Sequence, residues 1–143
     1  MNLVKEIAAG LSGLKTLKAL IAAGRRPPIA QTLDFDPTDV GEGIGYLHRH
    51  AGPCRHGSYA ATLLDSSCGC AVHSKLSATQ AYTTLELKVA YHKAITANTE
   101  TLRPEGHVVS FSRRAAFAEA SLKDDAGRLH ATATSTLLVM ERS

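Results

Sequence analysis

The hydrophobic residues of this chain follow two different periods along its length. Near the N-terminus they recur every three or four residues, at Leu3, Ile7, Leu11, Leu14, Leu17 and Ile21. This spacing predicts an amphipathic helix that ends at Gly24 and Pro27-Pro28. We expect the helix to dock on the domain or on a neighbouring subunit, and the alternative is a helix that lies on a membrane surface.

A second helical pattern runs from Tyr59 to about Ser74 and is broadly apolar. Its apolar surface is formed by small and aliphatic residues, namely Ala60, Leu63, Leu64, Cys68, Cys70 and Ala71. A helix with so wide an apolar surface is typically covered on most sides by other structure. We therefore predict a long central helix.

Beyond this helix the period changes to two, which indicates strands. In residues 84–91 the apolar positions Leu85, Leu87, Val89 and Tyr91 alternate with mostly polar ones. Further strands are expected over 43–50, 106–112, 115–123 and 129–140, with a hairpin turn at 124–127 and a turn at 36–39. Residues 29–35 are either a short strand or an irregular lead-in. The order predicts an α+β fold in which a curved antiparallel sheet wraps around one central helix.

Length and composition limit the range of functions. The 143 residues suit one domain, and the hydrophobic content of 44% with no Trp predicts an aliphatic core. We divide the chain into an N-terminal helical extension, 1–26, and a domain, 27–143.

The net charge of +3 suits a small anionic ligand. The basic residues form no stripe with interleaved aromatic residues, which disfavours nucleic-acid binding.

Cysteine usage points to a reducing compartment. The odd number of cysteines (Cys54, Cys68 and Cys70) and the lack of a signal peptide favour a cytoplasmic location. Charged residues interrupt the apolar N-terminus, so we expect no membrane span. The cysteine and histidine spacings do not match those of structural zinc sites, and no metal is predicted.

One carboxylate stands out in the central helix. Asp65 is the only Asp, Glu, Lys or Arg between Tyr59 and Ser74. A carboxylate in apolar surroundings is costly unless it is paired, so Asp65 is a candidate functional group. The pair His56-Gly57 precedes the same helix. A helix N-terminus offers unpaired N–H groups that suit a developing oxyanion.

Residues 33–141 resemble the hotdog-fold acyl-CoA thioesterases of the phenylacetate-pathway (PaaI) family. The resemblance rests on His56-Gly57, Asp65, 71–74, 83–89, Glu119-Ala120 and 127–129. It implies a hotdog fold and hydrolysis of an acyl-CoA thioester with neither metal nor cofactor. It also implies a homodimer with shared active sites, often a dimer of dimers.

The resemblance assigns a role to several residues. The backbone N–H of Gly57 polarises the thioester carbonyl, and Asp65 is the nucleophile or the general base for water. Thr84, with Thr83 beside it, positions the water or the acid. His56 orients the thioester or supports the oxyanion loop.

The spacing of the two groups adds a constraint. Gly57 and Asp65 are eight residues apart, which is about 12 Å along a helix at ~1.5 Å per residue. One carbonyl carbon cannot touch both. Either Asp65 serves a different site, or two chains pair so that Asp65 of one faces Gly57 of the other.

Two positions depart from the family pattern. Ser58 stands where the family has a second glycine, and His50 stands where it often has asparagine. Both are candidate substrate-binding residues, and both favour the alternative of a non-catalytic acyl-CoA-binding dimer. Arg113 and Arg114 are candidate contacts for the phosphates of CoA, or else belong to a solvated strand end.

Overall fold

The computed structural model describes residues 10–49, 57–96, 98–99 and 101–143. The helices in this part of the chain are α1 (Gly13–Ala22), α2 (Pro28–Leu33) and α3 (Gly57–His73). The strands are β1 (Phe35–Gly41), β2 (Ile44–Arg49), β3 (Gln80–Tyr91), β4 (Leu102–Phe111), β5 (Ala115–Asp124) and β6 (Leu129–Glu141). None of the described helices is long and apolar enough to cross a membrane.

The six strands form one antiparallel sheet in the order β1-β2-β4-β5-β6-β3. The central helix α3 packs against one face of this sheet and contacts all six strands. The predicted α+β plan, a curved antiparallel sheet with one helix against it, is therefore confirmed. The boundary of the extension at residue 26 stays a prediction.

The core lies between α3 and the sheet and is aliphatic, as expected. Burial alternates along β5, where three successive inward residues, Ala116, Ala118 and Ala120, are small and the next, Leu122, is large. The helix supplies the larger side chains, namely Leu63, Leu64, Cys68 and Val72, all with no exposed surface. Small strand residues thus make room for bulky helix residues, which is how a tightly packed interior is filled.

Two strand glycines let the backbone of α3 lie close to the sheet. A Cβ at Gly106 of β4 would overlap the backbone carbonyl of Ser67. A Cβ at Gly45 of β2 would stand 2.8 Å from the Cβ of Cys70. Glycine in a strand interior often marks such a close approach. The height and rotation of α3 on the sheet therefore depend on these two positions.

Helix α1 docks on the domain through a different face from the one that Leu14, Leu17 and Ile21 define. Gly13, Thr16 and Leu20 are buried, whereas Leu14, Leu17 and Ile21 are only half-buried. Gly13 donates its N–H to the carbonyl of Leu76 at 2.8 Å. A Cβ at this position would overlap the carbonyl of His73, so close packing decides which face is turned inward.

Two local expectations near the start of the domain were wrong. Residues 28–33 form the short helix α2, because Pro28 is at its first position and Asp34 ends it in the left-handed region (φ 52°). The turn expected at 36–39 is part of β1, in which the pairing register shifts between Pro37 and Asp39. Proline is tolerated there because β1 is at the edge of the described sheet.

A buried polar network closes the β5–β6 hairpin. The Asp124 carboxylate accepts hydrogen bonds from the backbone N–H groups of Ala126 and Arg128. It also bonds Nε2 of His130 at 2.9 Å and the Arg128 guanidinium at 2.7 Å. The bond to His130 is the largest cause of a pKa of Asp124 well below its ordinary range. Burial opposes this shift and Arg128 adds to it.

We predict that Gly106→Ala lowers the free energy of unfolding. The new methyl would meet backbone atoms of α3 that cannot move independently, so the expected loss is about 1–3 kcal/mol. The measurement is urea-induced unfolding. Gly41→Ala is the matched control, because no atom lies within 4 Å of a Cβ added there. Equal unfolding midpoints for the two variants would contradict the close approach.

We predict that Asp124→Asn destabilises the protein at neutral pH and less in acid. Because folding lowers the pKa of Asp124, its contribution to stability is present above the ordinary carboxyl pKa. That contribution declines as pH falls from the ordinary pKa toward the lowered pKa of the folded state. Urea unfolding from pH 7 to pH 3 should therefore show a constant difference in stability between variant and wild type down to about the ordinary Asp pKa of ~3.9, and a difference that begins to narrow below it. Asp39→Asn is the control, and a gap that stays constant with pH would refute the argument.

Candidate active site

Asp65 lies on the side of α3 that faces β3, where Thr84 meets it. The Thr84 hydroxyl donates a hydrogen bond to Oδ1 of Asp65 at 3.2 Å. Asp65 is half-buried and Thr84 is exposed, so the pair is at the edge of the core and within reach of solvent. The structure thus brings together two residues that are nineteen positions apart in sequence.

A β-bulge turns Thr84 toward the helix. The register of β3 on β6 shifts between Thr84 and Glu86, so that Leu85 is an extra residue. Before the shift Thr84 pairs with the buried Leu137, and after it Leu87 and Val89 are the half-buried positions. The predicted alternation placed Leu85 with Leu87 on the inner face. Instead Leu85 is 61% exposed, and Thr84 takes the inward position.

The two thiols of α3 stay protonated at neutral pH. Burial raises the pKa of the Cys68 thiol to about 12, and the charges of Asp65 and Glu119 add to the shift. Burial alone raises the pKa of Cys70 to about 11. Thiols with such values are poor nucleophiles and poor metal ligands. Across the described ranges, no three His, Cys, Asp or Glu side chains are grouped to hold a metal ion.

The first turn of α3 contains two more of the predicted residues. The helix begins at Gly57, and Ser58 follows it. First-turn N–H groups have no partner within a helix, so such an end can donate to an oxygen. Gly57 and Asp65 both lie in this one helix, so the ~12 Å separation expected from the helical rise applies. His50 and His56 lie outside the described residues.

The other predicted substrate contacts are not beside Asp65 in the single chain. Thr83 pairs with Leu138 and faces away from α3, because neighbouring strand residues point to opposite faces. Arg113 and Arg114 are exposed in the turn between β4 and β5, and β6 separates this turn from β3. The Arg114 carbonyl accepts the N–H of Val139, which fixes the backbone of the turn.

Sequence reasoning missed two residues next to the pair. Tyr82 precedes Thr84 by two residues on the same strand face, and Gly69 follows Asp65 by one helical turn. A Cβ at Gly69 would stand 2.5 Å from the Tyr82 hydroxyl oxygen. The spacing could have indicated both residues. Gly69 is four residues after Asp65 on a helix and Tyr82 is two residues before Thr84 on a strand, and each of these intervals keeps two residues on the same face.

Comparison with known proteins identifies the family and the fold of this chain. The thioesterase superfamily is the family whose sequence model matches, over residues 55–131. This segment spans more than half of the chain and contains Gly57, Asp65 and Thr84. No curated protein matches the sequence of this chain.

Solved structures share the fold. A thioesterase family protein from Silicibacter pomeroyi is 25% identical, with a TM-score of 0.76 over 87% of this chain and 96% of that one. A thioesterase from Haemophilus influenzae has a TM-score of 0.75 at 13% identity, over 87% of this chain and 90% of that one. A Streptococcus mutans protein bound to acetyl CoA has a TM-score of 0.68 at 22% identity, over 76% and 91% of the two chains.

The family match covers the segment that contains the helix N-terminus, the carboxylate and the threonine that contacts it. The structural matches cover 76% to 87% of the chain. The chain belongs to the thioesterase superfamily.

Proposed function

We propose that the protein hydrolyses an acyl-CoA thioester to a free acid and CoA. The observation that carries the proposal is the hydrogen bond between Thr84 and Asp65, within the segment that matches the superfamily. The similarity to a protein bound to acetyl CoA supports the class of substrate. We place the chain with the phenylacetate-pathway family because His56-Gly57, Asp65 and Thr84 occur at the spacing of that family.

Asp65 acts on water or on the thioester carbonyl. As a general base it takes a proton from water while the water oxygen bonds to the carbonyl carbon. The C–S bond then breaks, and the CoA sulfur leaves as a thiolate that is protonated to the thiol. As a nucleophile, Asp65 would form an acyl anhydride that water hydrolyses to the same products. In both routes the Thr84 hydroxyl positions the carboxylate.

The N-terminus of α3 stabilises the negative charge that develops on the carbonyl oxygen. The N–H of Gly57 donates to this oxygen, and the partial positive charge of the helix end acts in the same direction. His56 orients the thioester, and Ser58 and His50 contact the substrate around this point. Preorganised donors of this kind are often the largest single contribution to catalysis.

Each active site is formed by two copies of the chain. Gly57 and Asp65 of one helix are too far apart to act on one carbonyl carbon. Strand β3 is at the edge of the described sheet, runs from Gln80 to Tyr91 and exposes Leu85 at its bulge. A long exposed edge of this kind pairs readily with another strand. Pairing of β3 with the β3 of a second copy brings Asp65 of one subunit toward Gly57 of the other.

The CoA moiety lies on the surface of this homodimer. Arg113 and Arg114 contact its phosphates, since guanidinium groups bind phosphate well, and Thr83 contacts the substrate from β3. Two such dimers associate into a dimer of dimers. The protein acts in the cytoplasm, where acyl-CoA is available.

We predict that Asp65→Asn abolishes turnover. The amide accepts no proton at neutral pH, so kcat for a panel of acyl-CoA substrates should fall about 10²–10⁴-fold. Thr84→Val keeps the shape of the side chain but removes the hydrogen bond, and should lower kcat about 10-fold or more. Release of free CoA thiol is the measurement.

The controls for this experiment are Asp39→Asn on β1, at the opposite edge of the sheet, and Thr134→Val on β6. Both should keep wild-type turnover. Retained turnover in Asp65→Asn would disprove the mechanism. A wild-type protein that binds acyl-CoA without hydrolysing it would instead identify a non-catalytic acyl-CoA-binding dimer, with Ser58 and His50 as the residues to test.

We predict that two inactive variants restore activity to each other. Gly57→Pro removes the donor N–H, and proline is tolerated in the first turn of a helix. A purified heterodimer of Gly57→Pro and Asp65→Asn subunits has one intact site, so it should recover roughly half of the wild-type activity per dimer. Each variant carries a different affinity tag, so that the heterodimer can be purified away from both homodimers. A heterodimer as inactive as its parents would place both groups in the same subunit.

A further inference from the structure

Tyr82 lies beside the Asp65–Thr84 pair and has no role in the chemistry proposed above. It pairs with Val139 of β6, as Thr84 pairs with Leu137, and both partners are buried residues of the inner face. Tyr82 and Thr84 therefore both point toward α3. Gly69 is one helical turn beyond Asp65, about 6 Å along the axis.

The phenol ring of Tyr82 fills the position that a side chain at residue 69 would occupy. A Cβ at Gly69 would stand 2.5 Å from Oη and 3.2 Å from Cζ of Tyr82. These distances leave no room for even a methyl group. The ring thus rests directly on the backbone of α3, and glycine at position 69 is what allows it.

The Tyr82 ring makes a second contact with α3. His73, one more turn along α3, meets Tyr82 edge-on with ring centroids 6.0 Å apart and an interplanar angle of 89°. This is a favourable arrangement for two aromatic rings. Tyr82 therefore contacts α3 at Gly69 and at His73, and its ring forms a wall on this side of the helix.

The Tyr82 and His73 side chains that form this wall are uncharged at neutral pH. Burial raises the pKa of Tyr82 above its ordinary range, and neighbouring groups that include Asp65 add to the shift. Burial, followed by the charge of Arg142, lowers the pKa of His73, which favours the neutral imidazole. Because Asp65 and Gly69 are about 6 Å apart along the helix axis, an acyl group that extends from Asp65 toward Gly69 meets the uncharged Tyr82 ring after a few methylene groups.

We propose that Tyr82, seated on Gly69 and held by His73, closes the acyl pocket one helical turn beyond Asp65 and restricts the substrate to short acyl groups. This inference rests on the proposed function, because it takes Asp65 as the point at which the thioester reacts. Tyr82 is a specificity-determining residue in this view and takes no part in bond breaking.

The test compares acetyl-, butyryl-, octanoyl- and lauroyl-CoA with the wild type, Tyr82→Ala, Tyr82→Leu and Tyr82→Phe. The wild type should have its highest kcat/KM on the shorter substrates. In Tyr82→Ala the ratio of kcat/KM for octanoyl-CoA to that for acetyl-CoA should rise about ten-fold or more, because a few additional methylene groups become buried. Tyr82→Phe keeps the ring and should keep the wild-type profile.

Tyr82→Leu provides a second test in case Tyr82→Ala does not fold. It retains an apolar side chain of intermediate size and should show an intermediate ratio of kcat/KM for octanoyl-CoA to that for acetyl-CoA. Unfolding midpoints identify variants that are folded. An unchanged ratio in folded Tyr82→Ala and Tyr82→Leu, or a wild type that prefers lauroyl-CoA, would overturn the proposal.

A binding experiment separates this proposal from the proposed function. The probes are S-ethyl-CoA and S-octyl-CoA, which are thioethers that cannot be hydrolysed. Titration calorimetry should show that Tyr82→Ala gains affinity for S-octyl-CoA relative to S-ethyl-CoA, whether or not the protein turns over a thioester. If hydrolysis is absent but the affinity ratio shifts, the pocket assignment stands and the catalytic one fails. An unchanged affinity ratio contradicts the pocket assignment independently of turnover.

Discussion

Glycine at positions 45 and 106 lets the backbone of α3 rest against the middle of the sheet, and the positions of the candidate groups depend on this contact. With any larger residue in these strands the helix would be lifted or rotated. The carboxylate of Asp65 would then no longer lie within hydrogen-bond distance of Thr84. The packing of the core and the geometry of the site are thus consequences of one steric constraint.

The constraint acts together with the bulge in β3. Close packing of α3 brings Asp65 to the level of β3, and the extra residue at Leu85 turns Thr84 inward to meet it. Beyond the bulge, Leu87 and Val89 complete the inner face while Glu86 and Lys88 face outward. A regular strand of the same length would have satisfied either the threonine contact or the apolar core, but not both.

Much of the fold could be predicted because it follows from residues that are near each other in sequence. The central helix was expected from Tyr59 to about Ser74 and is observed from Gly57 to His73. Strand β4 begins at Leu102, earlier than the expected start at Gly106. The early start was not predicted, because Pro104 lies within it and proline ordinarily indicates a break in a strand. Helix α2 was missed because six residues carry little periodicity.

The candidate site could be predicted less completely, because its geometry arises from contacts between distant segments. Asp65 was recognisable as an isolated carboxylate, and the structure brings Thr84 within hydrogen-bond distance of it. The alternation of Leu85 with Leu87 pointed to the opposite face for Thr84, since a local pattern does not reveal a bulge. Nor does it reveal that Gly69 and Tyr82 fit against each other, because that fit depends on how close α3 approaches β3.

The bulge also has an evolutionary consequence. Removal of Leu85 alone would leave a regular strand in which Thr84 and Leu87 keep their inward positions, because Leu85 is the residue without a partner on β6. Removal of a paired residue between Glu86 and Val89, with the bulge kept, would instead exchange the inward and outward positions on one side of the deletion. Substitutions along this strand change one side chain at a time, whereas such a deletion alters several inward positions at once. Outside position 85, the length of β3 should therefore be more strongly constrained during divergence than its composition.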